Sequence, residues 1–488
     1  MQDFFAKPPF NADPVPHKMK ATPSYSFDFV VLGGGSAGYA AARTAHSLGL
    51  KTAVIDGADE LGGLCILKGC MPSKSLIESA NRARAIRHAG QFGIRVGDTT
   101  IDAPMIVERK RRLIGDFASY RQGQLDDGRF DLIRGRATLI DPHTFEITPR
   151  HGAAYKVTFA TACLATGSVH SKIDLPGLES VDYWTSDDIL EATEIPESAV
   201  VLGGGAIALE MACYLEGLGS KVTLIQRSEH LLTGSDVDLA EAAAAALRDR
   251  GMAVHTGTTL RSVERNETGL VVHYEHHGEP RMAHGERLLL ALGRQPASAG
   301  LGAEEIGLIL DRGRVPCDSG MATRLPHIFA AGDLTGPHDV VHTAIAQGEA
   351  AAHNAAFRLG RVDAPVTVDY RLKLLGIFSD PEIAMLGLTE AEAAKEGRKV
   401  ITASYPFNDH GKSMIMGADH GFVKMIADAN TKELVGASVV GPHAVDLIHE
   451  VVVALHFHCT AGEFLKIPHY HPTLSEIWTY PAEELAEA

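Results

Sequence analysis

Phe29-Val-Val-Leu-Gly-Gly-Gly-Ser-Ala-Gly38 and Ala199-Val-Val-Leu-Gly-Gly-Gly-Ala-Ile-Ala208 are two copies of one pattern. In each, an apolar strand runs into a glycine turn and then a helix of small residues, closed by Leu48-Gly49 or Leu218-Gly219. A second strand follows, Thr52 to Asp56 in the first copy and Val222 to Gln226 in the second. A single Gly-x-Gly-x-x-Gly is a weak signal, since glycine-rich turns occur in ordinary α/β domains. Two copies with matching strand, turn, helix and strand lengths indicate two dinucleotide sites in one polypeptide, and hence electron transfer between two bound nucleotides.

The physical case is the same for both. The first glycine (Gly33, Gly203) permits the tight turn, and the second (Gly35, Gly205) lets backbone approach a pyrophosphate. The third position (Gly38, Ala208) lets the helix pack close to the strand. The helix start, at Ser36 and Ala37 in the first copy, offers unpaired N–H groups and the positive end of its dipole to phosphate. The copies differ at the end of the second strand. Asp56 is placed to bond a ribose hydroxyl. Its counterpart is Gln226, followed by Arg227, which removes a repulsive carboxylate and adds a cation for a 2′-phosphate. The second site therefore leans toward NADPH over NADH.

A chain of 488 residues is too long for one core and suggests about three or four domains. With 45% apolar and 22% charged residues the composition is that of a soluble globular protein. No apolar run approaches the roughly 20 residues of a membrane helix. The net charge of −16 argues against nonspecific nucleic-acid binding. The stretch to about Ser26 lacks the apolar core of a signal peptide and reads as a flexible lead-in, so a cytoplasmic location is expected.

Six cysteines in a chain this long are no secreted disulfide framework. Cys163, Cys213, Cys317 and Cys459 read as buried thiols. Cys65 and Cys70 differ, lying in Leu61-Gly-Gly-Leu-Cys65-Ile-Leu-Lys-Gly-Cys70-Met-Pro-Ser-Lys74. On a regular helix their Cα atoms would be about 7.5 Å apart along the axis. A disulfide usually needs about 4.4–6.8 Å. A bridge requires a distorted turn, which Gly62, Gly63, Gly69 and Pro72 permit. Closing so small a loop stabilises little, so the value of such a bridge lies in being opened and re-formed. A helix N-terminus and Lys74 are expected to favour the thiolate. Metal binding is the competing reading, but no second Cys or His pair at zinc spacing accompanies it. Inert core thiols are the other alternative.

These motifs, with Ala165-Thr-Gly-Ser168, Gly203 to Glu210, Ala291-Leu-Gly-Arg294 and Thr323 to Asp333, are similar to those of the flavin-dependent pyridine nucleotide–disulfide oxidoreductases. Phe378 to Ala384, Gly387 to Glu390 and His471-Pro-Thr-Leu-Ser-Glu476 extend the resemblance over nearly all of Phe27 to Glu484. It implies an α/β fold with two Rossmann-like domains, for FAD and NAD(P), and a C-terminal α+β dimerisation domain. The implied boundaries are a lead-in over 1–25, an FAD domain with the redox disulfide over 26–180 and an NAD(P)H domain over 181–295. A central FAD segment over 296–365 and an interface domain over 366–488 follow. Phe422 to Ile426 and Leu434 to Val440 read independently as strands, and Ala444 to Leu455 as a helix apolar on more than one face.

By the same resemblance, FAD is held by Gly33, Gly35, Ser36, Ala37, Gly38, Asp56, Lys74, Thr166, Gly167 and Asp333. NAD(P)H is held by Gly203, Gly205, Ala208, Gln226, Arg227 and Gly293. Lys74 and Glu210 occupy positions that form an ion pair near the flavin. His471 is the acid/base, oriented by Glu476 and reaching the cysteines of the other subunit, so a monomer would be inactive. A carboxylate partner raises an imidazole's proton affinity and fixes its tautomer. Thr473 and Glu476 also fit a capping box at a helix start. His456, His458 and His469 read as ordinary histidines, not a metal cluster; no metal is expected.

The implied reaction carries electrons from NAD(P)H through FAD to the Cys65–Cys70 bridge. Cys65 then attacks an external disulfide, His471 protonates the leaving thiol, and Cys70 resolves the mixed disulfide. Dihydrolipoamide dehydrogenases run the steps in reverse. Gln226-Arg227 points to a reductase of small-molecule disulfides. Glu349, where glutathione reductases resemble Arg, and the Thr-Leu-Ser-Glu form look more like dihydrolipoamide dehydrogenase, with a lipoyl carrier domain as partner. The C-terminus, Pro481 to Ala488, lacks the vicinal cysteines of mercuric reductase. A flavin diaphorase reducing quinones and a structural subunit of a lipoyl complex are the alternatives.

Overall fold

The computed structural model describes residues 25–267 and 269–488, so most of the expected N-terminal lead-in lies outside the described residues. The chain forms two compact units. The first comprises the described chain from residue 25 to Cys70, with Leu113–Val169 and Arg294–Asp369.

Its centre is the strand quoted first. Strand β1 (Phe27–Leu32) is buried along nearly its whole length, as a parallel strand covered on both faces must be. It pairs in parallel with β2 (Thr52–Asp56) on one side and β5 (Tyr155–Leu164) on the other. Strand β3 (Asp131–Asp141) runs parallel to β2 through its first residues, then turns antiparallel to β4 (Thr144–Pro149), which returns to β5. The strand Ile328–Ala330 adds in parallel to β5. Helix α1 (Ser36–Ser47) buries Ala37, Gly38, Ala40, Ala41, Ala42 and Ala45, and packs against the helix Val341–Arg358. Alanine and glycine on both partners permit the approach: a Cβ on Gly348 would lie 2.2 Å from the Ala37 carbonyl oxygen.

The second unit holds Met71–Arg112, His170–Gly293 and Tyr370–Ala488. Its first layer repeats the β1 arrangement: Ser198–Leu202 is flanked in parallel by Lys221–Ile225 and Arg287–Leu290, with Ala253–His255 at the edge. A three-stranded antiparallel sheet follows, Thr258–Asn266, Gly269–His276 and Glu279–Gly285. The C-terminal part is a five-stranded antiparallel sheet in the order Leu374–Ile377, Glu382–Gly387, Leu434–Gly441, Phe422–Asp428, Val400–Pro406. It contains both strands read from alternation. The expected helix from Ala444 to Leu455 is two shorter ones, Ala444–Leu447 and His449–His456. Val453 and Phe457 remain exposed on this stretch, as do Met414 and Ile415 on the helix Gly411–Met416. Among the described residues no helix is long and apolar enough to cross a membrane.

Candidate functional site

The glycine turns are built as their sequences require. Gly33 has φ +106° and Gly203 φ +122°, and a Cβ on either would lie 2.3 Å from a carbonyl oxygen, of Ala165 and Ala291 respectively. Gly38 has no room for a side chain, its Cβ position being 1.8 Å from the Gly33 oxygen. By contrast a Cβ on Gly205 meets nothing within 4 Å, and one on Gly35 only the Gly63 Cα at 3.8 Å. Neither helix has a side-chain cap at its N-terminus. Open space over uncapped N–H groups fits a pyrophosphate in both turns.

Asp56 closes the first turn from below. Its Oδ2 accepts from Gly34 N at 2.8 Å and its Oδ1 from Ala58 N at 2.8 Å. At the corresponding place in the second copy the Gln226 side chain lies under Gly204 and donates to Thr233 Oγ1 at 3.4 Å. Arg227 is exposed and makes no ion pair among the described residues. Thr166 donates its hydroxyl to Ala297 O at 2.8 Å, and Gly167 and Gly293 both take positive φ, +73° and +97°.

Asp333 sits in a short turn, Gly332–Leu334, before the long helix Val341–Arg358. Its Oδ2 accepts from Ser168 Oγ at 2.6 Å, and Arg294 donates to the same hydroxyl at 2.8 Å and to Ser168 O at 2.7 Å. Gln347 pins the turn, accepting from Gly332 N and donating to Gly336 O. Burial holds the Asp333 carboxyl above the usual carboxylate range, with Ser168 opposing. A part-buried carboxylate with so few donors suits hydroxyl groups of a bound ligand, and a ribitol chain supplies them. Ser168, Arg294 and Gln347 were not among the expected site residues, although two of them fall in quoted motifs.

The cysteines are not on one helix. Cys65 lies in α2 (Gly63–Leu67), the chain breaks at Lys68-Gly69, and Cys70 is the first residue of α3 (Cys70–Arg87). This break supplies the distortion the spacing demands. Gly69 makes it possible by lying on α2, its Cβ position 3.2 Å from Cys65 Cα. Gly63, with φ +72°, abuts the nucleotide turn: its Cβ would come 2.5 Å from Gly35 Cα. The turn that admits a pyrophosphate is thus the surface on which the Cys65 helix rests. Gly63→Ala is expected to cost about 1–3 kcal/mol and to lower flavin retention. Unchanged melting temperature and visible absorbance would show that the two backbones do not depend on each other.

The other four cysteines are poor nucleophiles. Burial pushes the Cys213 thiol up to about 11 and Cys317 up to about 12, and raises Cys163 and Cys459 too. Further along α3, Lys74 Nζ donates to both oxygens of Glu210, at 2.8 and 2.9 Å. Glu210 is buried and also accepts from Phe378 N at 3.1 Å, while the Lys74 ammonium stands 4.7 Å from the Phe378 ring centroid. The expected pair is present, with its cation committed to Glu210.

His471 Nδ1 lies 2.8 Å from Glu476 Oε2; the imidazole is 79% exposed and the carboxylate 13%. The expected capping box is absent. Thr473 donates its hydroxyl back to Tyr470 O, and the turn Ser475–Trp478 starts without a side-chain cap. The Glu476 oxygens are taken by histidines, His471 and a second one, His410, whose Nε2 is 3.3 Å from Oε1. The helical turn begins at Ser475, so Glu476 is its second residue and not the third after an N-cap at Thr473. His469 is buried with Nε2 2.7 Å from Glu450, and His458 meets Glu433 at 2.7 Å. Glu349 is paired with Arg43 at 2.5 Å on the exposed faces of their helices. Among the described residues no group of three or more His, Cys, Asp or Glu could hold a metal ion.

The profile of the pyridine nucleotide-disulphide oxidoreductases matches residues 27–348, and that of their dimerisation domain residues 375–482. Dihydrolipoyl dehydrogenase of Geobacillus stearothermophilus is 33% identical, over 93% of this chain and 95% of its own. Mercuric reductase of Bacillus cereus is 31% identical over 93% of this chain but 70% of its own. Among solved structures, LpdA of Mycobacterium tuberculosis superposes with TM-score 0.83 at 28% identity, covering 94% of this chain and 99% of the other. The flavoprotein disulfide reductase RclA of Escherichia coli gives 0.81 at 25% identity, covering 93% and 99%. Two glycine turns open over helix starts, a split cysteine pair resting on the first of them, and matches spanning both halves of the chain lead to one assignment: the protein belongs to the pyridine nucleotide–disulfide oxidoreductases, FAD-dependent enzymes, and carries that family's dimerisation domain.

Proposed function

We propose that the protein is an NADPH-preferring reductase of a small-molecule disulfide, working through Cys65 and Cys70. The observation that carries this reading is the broken helix, with Cys65 on α2, Cys70 at the start of α3, and α2 seated on the nucleotide turn through Gly63. FAD, held by the first glycine turn, Asp56 and Asp333, supplies two-electron exchange between the nicotinamide nucleotide and the cysteine pair. The remaining chemistry belongs to side chains. In the dithiol state the Cys65 thiolate attacks one sulfur of the external disulfide, and the S–S electron pair leaves on the other sulfur. His471 of the partner subunit gives that sulfur its proton from Nε2, since Nδ1 faces Glu476. Cys70, as thiolate, then attacks Cys65 in the mixed disulfide, restoring the bridge and expelling the second sulfur as a thiolate that takes its proton from solvent. Lys74 and Glu210 place a compensated charge pair on the nicotinamide side of this path. If His471 is shared in this way, activity requires the homodimer.

The NADPH preference is supported by exposed Arg227 beside neutral Gln226. Arg227→Glu is expected to lower kcat/KM for NADPH by about 10–100-fold, the worth of a charge-assisted hydrogen bond, and to leave NADH nearly unchanged. Equal losses with both nucleotides would remove Arg227 from phosphate recognition. A second reading, NAD-linked oxidation of a dihydrolipoyl group on a carrier domain, is favoured by the dihydrolipoyl dehydrogenases among the similar proteins and by Glu349. Anaerobic titration with NADPH and NADH separately, followed by turnover with oxidised lipoamide, glutathione disulfide and other low-molecular-weight disulfides, decides between them. Reduction by NADH alone, with turnover only on lipoyl substrates, would replace the first reading by the second. Turnover with quinones but with no disulfide would overturn both.

A further inference from the structure

Glu476 carries two imidazoles in opposite settings. His471 is largely exposed, whereas His410 is wholly buried. His410 comes from a separate segment, between the turn Phe407–Asp409 and the helix Gly411–Met416. Its Nδ1 lies 2.8 Å from Ser413 Oγ and its Nε2 3.3 Å from Glu476 Oε1. The contact with Glu476 falls short of hydrogen-bond geometry, so among the described residues the buried Nε2 has no hydrogen-bond partner, and Glu476 Oε1 is the acceptor it faces. A serine hydroxyl can donate or accept, but a carboxylate only accepts. The tautomer compatible with both neighbours has Nε2–H directed at Glu476 and an Nδ1 lone pair accepting the Ser413 hydroxyl.

The surroundings disfavour the charged form of this ring. Burial pulls His410 below the ordinary histidine value, Glu476 opposes the shift, and His471 adds to it. The other groups facing the ring supply no countercharge. Tyr480 presents its ring edge-on at 6.3 Å, and the carboxylate of Asp409 accepts from the Tyr405 hydroxyl at 2.9 Å. A part-buried carboxylate that faces an N–H on one side and His471 on the other is held in place more firmly than one serving His471 alone.

We propose that His410 is a positioning residue for the His471–Glu476 pair: a neutral Nε2–H donor that fixes the carboxylate and weakens its hold on the His471 proton. The proposal rests on the reading of His471 as the proton donor to substrate sulfur. Weakening that hold eases proton release from His471 to the leaving thiolate.

The test compares wild type, His410→Leu and His410→Gln. Leucine removes the donor; glutamine keeps one N–H at comparable reach without an ionisable ring. In His410→Leu the pH at which the His471–Glu476 pair loses its proton, read from kcat/KM for disulfide reduction and from ring NMR of histidine-labelled protein, should rise by about one unit. His410→Gln should return it most of the way. A loss of turnover with an unmoved pH profile, or an equal shift in both variants, would overturn the proposal. Should the leucine variant fail to fold, the wild-type spectra decide. A His410 ring that stays neutral, with hydrogen on Nε2, while His471 titrates supports it; a ring with hydrogen on Nδ1, or one that becomes charged along with His471, overturns it. The NMR readout needs no substrate, so wild-type protein that reduces no disulfide would sink the functional reading while leaving the His410 shift measurable on its own.

Discussion

Cys65→Ser protein is expected to keep its yellow chromophore and its reduction by NADPH, yet to turn over disulfides at least roughly a thousandfold more slowly than wild type. The reason is chemical. At neutral pH a serine hydroxyl has almost no anionic fraction, and its oxygen cannot enter a mixed disulfide. Flavin binding should survive because the substitution changes neither the Gly63–Gly35 contact nor the Asp333–Ser168–Arg294 arrangement. Electron transfer to a quinone, which needs no sulfur, should persist and so separates the thiol step from the flavin step. Cys459→Ser serves as control; the thiol is raised by burial and belongs to no step. Disulfide turnover near the wild-type rate in Cys65→Ser would reject Cys65 as the nucleophile and leave the diaphorase reading.

The second large effect concerns His471. His471→Gln should reduce disulfide turnover by about 10²–10⁴-fold, the usual contribution of a positioned general acid. It should leave reduction of the flavin by NADPH untouched. The sign of the pH dependence follows from the direction of the reaction. In the proposed mechanism His471 gives up a proton during disulfide reduction and takes one up during dithiol oxidation, so the pH profiles of the two directions should carry limbs of opposite slope. His471→Gln should lack the limb in both directions. Glu476→Gln should lose less, about tenfold. Its amide has a single acceptor oxygen for two imidazole donors, so the ring is misdirected but not removed. A His471→Gln enzyme with an intact limb would assign the titration elsewhere.

The two glycine turns were legible because their rules are local. A positive φ at Gly33 or Gly203, a missing Cβ at Gly38 and an uncapped helix start depend on neighbours within one supersecondary unit. The cysteine break was legible for the same reason, since Gly69 decides it over a few residues. Lys74–Glu210 and His471–Glu476 were reached through family resemblance, and the structure places each pair within 3 Å. The capping box at Thr473 failed because the helical turn starts two residues later, at Ser475, and the Thr473 hydroxyl turns back to Tyr470 O.

What the sequence determined by itself was the pair of glycine turns, the split cysteine pair and the family, each encoded in short runs whose backbone demands are met within the run. What only the tertiary structure decided was the company these groups keep. Gly63 against Gly35, Arg294 on Ser168 beside Asp333, Phe378 over Lys74 and His410 beneath Glu476 join residues far apart in the chain. Such contacts depend on which surfaces the sheets and helices bury together, and a lone histidine between a strand and a short helix bears no mark of the carboxylate it will meet.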